Sequence, residues 1–211
     1  MKRKTILATI LILALLAPAW AEASPERGPT SFSLGFHLGY WDAKDVDKYD
    51  LNNLFGFGMI GQYRPHIYWG VDLRLGGYVT ETTRDVFMLE QGWYEHKSTL
   101  VILPLECGLL GFLPLGDTVE LYGGPGAGFY LFDGEYVIKQ GPQKTTYDLS
   151  MDDKFAPFVR VGGRVKLTYN LALFAEGQYT WVKSKFIDFE GDTIRLDFSG
   201  PSVLFGMLFS F

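Results

Sequence analysis

From Phe32 onward, large apolar residues alternate with small or polar ones along most of the chain. Side chains on a strand point to opposite faces with a period of two, so the alternation predicts strands with one apolar face each. Phe32, Leu34, Phe36, Leu38 and Tyr40 stand against Ser33, Gly35, His37 and Gly39. The same scheme recurs around 55–64, 69–79, 101–109, 119–131, 159–167, 171–181 and 202–211. That makes eight strands, an even number, as a closed up-and-down barrel with both ends on one side requires. The connections alternate too. Short ones fall near 65–67, 113–117 and 169–170, and long loops are expected near 42–53, 81–97, 133–154 and 183–198; Val86-Phe87-Met88-Leu89 in the second is expected to extend its hairpin above the membrane, with a partner patch as the alternative.

Alternation alone does not say which face turns inward, because a soluble barrel shows the same period with its apolar face inside. Three features assign the apolar face to lipid. The polar face carries glycines such as Gly124, Gly126 and Gly128; each costs a strand roughly 0.5–1 kcal/mol, which a crowded narrow lumen justifies and a solvent-facing surface does not. Aromatic residues gather near strand ends, Tyr63 and Trp69 at one rim and Tyr40, Tyr179 and Trp181 at the other, like the interfacial girdles of membrane barrels. Short turns opposite long loops are the asymmetry expected of periplasmic and outer ends. The predicted fold is all-β, an eight-stranded antiparallel up-and-down transmembrane β-barrel.

The N-terminus reads as an address. Lys2, Arg3 and Lys4 precede an apolar run over 5–17, and Ala19-Trp20-Ala21 and Ala21-Glu22-Ala23 each offer a cleavage site. The run falls short of the ~20 residues of a membrane-spanning helix, so residues 1–23 are expected to be a signal peptide and 24–211 the barrel domain; a retained anchor is the alternative. Loss of the three basic residues and Glu22 moves the formal charge from −5 to −7. That balance argues against a nucleic-acid partner. The single cysteine, Cys107, excludes an internal disulfide.

The closing Gly206-Met207-Leu208-Phe209-Ser210-Phe211 resembles the terminal strand of bacterial outer-membrane barrels. The stretches 121–128 and 173–179 resemble strands of the small outer-membrane β-barrel superfamily, which includes OmpA's transmembrane domain, OmpW and the opacity proteins. The resemblance implies an outer-membrane location and contact with outer-membrane lipid and lipopolysaccharide. It also implies recognition of Phe209 and Phe211 by the barrel-insertion machinery. The chain ends at Phe211, so a peptidoglycan-binding domain of the OmpA type is not expected.

The inward set holds Arg64, Arg74, Arg160, Arg164 and Lys166 against Asp72, Glu106, Glu120 and Glu176. Charges in a narrow lumen must be paired or hydrated. With the last short turn centred near Asn170, Glu176 is expected across from Arg164 or Lys166. The expected outcome is a salt-bridged plug; a gate opened by exchange of partners is the functional alternative. Ile60, Phe158, Phe174, Leu204 and Leu208 share the inward parity and fill the barrel or, as the resemblance to OmpW implies, line a path for a small hydrophobic solute.

No enzyme is expected. A lipid-cleaving site needs a nucleophile beside a base. His37 and Ser33 lie four residues apart on one strand, some 13 Å; His66 falls in a short turn, and His96 sits beside Glu95 and Ser98 without a third group. Asp42, Asp45, Asp47 and Asp50 lack the spacing of a calcium loop, and no cofactor is expected. The expected function is structural or restricted small-solute permeation. A surface interaction protein acting through its long loops is the alternative.

Overall fold

The computed structural model describes residues 31–45, 53–88, 92–140, 143–149, 151–187 and 193–211. The expected signal peptide, Asp47, Asp50 and the Leu89 end of the expected hairpin extension lie outside them.

Eight strands close into a ring: β1 (Ser31–Trp41), β2 (Leu54–His66), β3 (Trp69–Met88), β4 (Gly92–Leu115), β5 (Val119–Gln140), β7 (Lys154–Lys166), β8 (Leu171–Thr180) and β11 (Gly200–Ser210). Each pairs antiparallel with its neighbours, and the β1–β11 ladder closes the circle. Three further strands stand off the ring. β6 (Gln143–Leu149) pairs back on β5, and β9 (Lys183–Ile187) pairs with β10 (Thr193–Asp197) as a separate hairpin.

The two faces separate as the alternation requires. Phe36, Leu38, Phe57, Leu73, Phe155, Val161 and Phe205 project outward and are exposed, while Asp72, Arg74, Glu106, Arg160, Glu176 and Gln178 are buried inside. A bilayer strand needs only about 9–11 tilted residues. β1, β8 and β11 have 11, 10 and 11, so their outer apolar faces match the hydrocarbon band. Tyr63, Trp69 and Trp181 are half-exposed near strand ends, and Tyr179 packs on Trp181 with ring centroids 4.9 Å apart.

The second expected loop carries the expected hairpin extension, and much of the third and fourth is strand as well. β3, β4 and β5 run for 20, 24 and 22 residues, roughly twice a membrane crossing. β3 and β4 stay in register as far as Met88 opposite Gly92. Along these extensions the apolar alternation fades, while β-branched residues such as Thr80, Thr82 and Thr83 still favour extended backbone. The extensions and the β6 hairpin form a four-stranded sheet rising from the end opposite the short turns.

At that end the mouth is covered. Trp41, Leu54, Tyr78, Leu100, Ile102, Tyr130 and Phe132 form an apolar cluster with Val182, Leu196 and Phe198. The last three come from the chain around the β9–β10 hairpin. The N–H of Phe198 donates to Val182 O at 2.9 Å, and that of Asp42 to Pro201 O at 2.9 Å, so the segments after β1 and before β11 continue their ladder over the opening.

Candidate functional site

Within the ring, the inward charges form two groups at different heights. The upper group joins β3, β4, β7 and β8. Arg74 donates from Nε to Asp72 Oδ2 at 2.7 Å, and from Nη1 and Nη2 to the two oxygens of Glu176 at 2.7 and 2.8 Å. Arg160 donates to Asp72 Oδ2 at 2.5 Å and to Glu106 Oε2 at 3.1 Å. The remaining oxygen of Glu106 accepts from Tyr130 Oη and Gln178 Nε2, both at 2.8 Å. The ring of Phe158 lies 4.2 Å beneath the Arg160 guanidinium, a cation–π contact that desolvation strengthens.

The lower group sits nearer the short turns. Glu120 on β5 accepts from Arg64 on β2 at 2.6 and 3.1 Å and from Arg164 Nε on β7 at 2.5 Å. Arg164 Nη1 also donates to Gln62 Oε1 at 2.8 Å. Phe112 contacts both guanidiniums, 4.1 Å from Arg64 and 4.9 Å from Arg164. Planar guanidinium suits such shared pairing better than the compact ammonium of lysine.

Glycine makes room for these long side chains. A Cβ at Gly108 would stand 2.5 Å from Asp72 Oδ1, one at Gly126 would enter the ring of Phe158, and one at Gly58 would meet His37 Nε2. His37 is buried, and neither ring nitrogen has a hydrogen-bond partner among the described residues; the same holds for Asp72 Oδ1, Arg160 Nε and Gln178 Oε1. Buried polar atoms of this kind are met by internal water in folded proteins.

Two expected placements change. Glu176 lies opposite Gly162 on β7, not Arg164 or Lys166. Lys166 pairs with Ala172, which centres the turn on Tyr169. A one-residue shift in the centre displaces every partner by two. Lys166 itself is exposed at the rim and bonds no carboxylate among the described residues. Among the other residues, Ser33 bonds Ser210 at 2.8 Å, His66 is exposed at the end of β2 and not in the turn, and His96 Nδ1 meets Tyr136 Oη. The inward parity had marked Gln62, Tyr130 and Gln178 without assigning them a part; Phe112 carries no separate signal in the sequence. A groove of about 830 Å³ lined by Phe36, Leu38, Phe57, Leu173, Phe205 and Met207 lies on the outer wall, facing acyl chains rather than the charged lumen.

A closed antiparallel ring with an apolar exterior and a charged interior defines the class: a transmembrane β-barrel. The family described as outer membrane protein beta-barrel domain matches residues 7–201, and the chain belongs to it. Its location is the outer membrane. No relative among the curated proteins matches. In three dimensions it is similar to the outer membrane protein OprG from Pseudomonas aeruginosa, with a TM-score of 0.60 and 14% identity over 86% of this chain and 96% of that one. It is also similar to the outer membrane protein AlkL (TM-score 0.49, 15% identity, 90% and 94% covered) and to Ail of Yersinia pestis (0.43, 19%, 86% and 97%). At these identities the likeness concerns the fold.

Proposed function

We propose that this chain is a structural outer-membrane barrel that allows at most restricted passage of small solutes, its lumen plugged by paired charges. One observation carries the reading: Arg64, Arg74 and Arg160 each bond a carboxylate among Asp72, Glu106, Glu120 and Glu176 across the lumen, while Arg164 bonds Glu120 on the neighbouring strand and reaches Gln62 across it. A solute moving along the axis must break guanidinium–carboxylate bonds in a poorly hydrated space, where leaving one charge alone is costly. The apolar cluster at the mouth adds a second barrier. The proposal assigns no catalytic residue. It includes removal of residues 1–23 as a signal peptide, contact with lipopolysaccharide, and use of Phe209 and Phe211 as an assembly signal.

Planar-bilayer recording tests it. The wild-type barrel is expected to be silent or to show brief small openings, and Glu176→Gln to raise their frequency. Large stable wild-type conductance, unchanged in that variant, would overturn the plug.

A second reading, a surface interaction protein, draws on the sheet formed by β3 to β6, which projects beyond the membrane crossing. Silence in the bilayer together with loss of cell-surface binding on deleting 134–149 would favour it.

A further inference from the structure

The two lumen groups are not electrically equal. The upper one sets Asp72, Glu106 and Glu176 against Arg74 and Arg160; the lower one sets Glu120 alone against Arg64 and Arg164. Glu120 and Arg164 are more than nine-tenths buried, so the positive surplus below is held in a low-dielectric setting, offset only from a different height by the extra carboxylate of the upper group, and a counter-ion beside it is favoured. Beside it lies a cavity of about 260 Å³ lined by Ser31, Arg64, Ile67, Glu120 and Lys166. Among the described residues Lys166 has no ion-pair partner. The adjoining turn contains Asp117, which does not line the space.

The donor count supports a ligand. Arg64 uses Nε on His66 O, Nη2 on Ile67 O and Glu120, and Nη1 once on Glu120. A guanidinium has five N–H groups, so one remains on Nη1. Lys166 brings three more. The cavity opens at the end carrying the short turns, which in barrels of this kind is the periplasmic end.

We propose that this vestibule binds a phosphate-type oxyanion, with Lys166 and Arg64 donating to its oxygens and Arg164 supplying charge from behind. The anion compensates two guanidiniums that share a single carboxylate. A periplasmic phosphate compound and an inner-leaflet phospholipid headgroup present the same chemistry. The proposal is independent of whether the lumen conducts.

The test titrates inorganic phosphate into the barrel in zwitterionic nanodiscs at low salt, by calorimetry. Saturable binding is expected. Lys166→Gln should weaken it about tenfold, the worth of one charge-assisted hydrogen bond. Lys166→Arg should retain it, and Lys139→Gln, on the far extension, should leave it unchanged. Lys166 is exposed, so Lys166→Gln should fold normally, as its heat-shifted gel mobility will report. A second arm counts phosphatidylglycerol retained by the wild type and by Lys166→Gln in native mass spectrometry. Phosphate binding that depends on Lys166 assigns the site to free anions; retention of lipid that depends on Lys166 assigns it to headgroups. If neither signal depends on Lys166, the anion site is wrong.

Discussion

Arg74 on β3 donates through both terminal nitrogens to the two carboxylate oxygens of Glu176 on β8, 102 residues away in the chain, at 2.7 and 2.8 Å. The strands that carry them are not neighbours in the ring, so the bond crosses the lumen. Both side chains are almost wholly buried, and each is the other's bidentate partner. Removing one leaves the other charged and undersolvated.

Glu176→Gln is therefore expected to cost about 3–5 kcal/mol of stability, the usual result of breaking a buried pair. Replacing both partners, as Arg74→Leu with Glu176→Leu, should recover at least half of that loss, since Arg160 still holds Asp72. Urea unfolding in lipid vesicles measures both. A double variant as unstable as the single one would show that the pair's worth is more than the avoidance of an orphaned charge.

Gly58→Ala should destabilise the barrel by roughly 1–3 kcal/mol, the usual cost of overpacking. Its Cβ would collide with His37 Nε2 and lie 2.6 Å from Leu75 O. Gly177→Ala, where a Cβ meets nothing within 4 Å, should be tolerated. The same unfolding assay compares them, and equal losses would mean that the lumen wall yields more freely than its packing implies.

Orientation of the apolar face has its own test. Phe205→Arg, in the middle of β11 and 60% exposed on the outer wall, should cost about 2–4 kcal/mol if that wall meets lipid near the bilayer centre. Insertion into vesicles followed by unfolding reads the loss. An unperturbed variant would place Phe205 outside the hydrocarbon.

Asp197 links the mouth to pH. Partial burial works to raise its carboxyl, but hydrogen bonds from Ser199 and the ammonium of Lys183 outweigh burial and hold it below the ordinary aspartate range. A depressed value means stabilisation that is fully present above the unfolded value of about 3.9 and lost as pH falls through the folded one. The amides of Asp45 and Phe198, which donate to Asp197 O and Val182 O, should keep their exchange protection down to roughly pH 5 and lose it below about 4. Asp197→Asn should remove that dependence, and a parallel acid response in the variant would assign it elsewhere.

Phe211→Ala tests the assembly signal. Less folded barrel should reach the outer membrane, read as the heat-shifted gel fraction, while the purified variant refolds normally in detergent. Unchanged delivery would make the terminal aromatic incidental.

The primary sequence determined the strands of the ring and the direction of their faces, because membrane lipid on one side and a cramped polar lumen on the other impose a period of two on every crossing. Leu38, Phe57 and Phe205 thus declared themselves lipid-facing, and Asp72, Arg74 and Glu176 inward, without any coordinates. Only the tertiary structure decided which charge meets which. Arginine reaches past its strand neighbours, so Arg74 finds Glu176 across the lumen, and a turn centred on Tyr169 moved Glu176 two residues from its expected neighbour. The β3–β4 extension was legible at Val86-Phe87-Met88, whereas that of β5 was hidden for a related reason. Along the extensions the apolar alternation fades, and pairing with the neighbouring strands, helped by β-branched residues, keeps the chain extended. The apolar cover over the mouth likewise joins Trp41, Leu100 and Phe198 from segments far apart in the chain, and closing a ring is what brings them together.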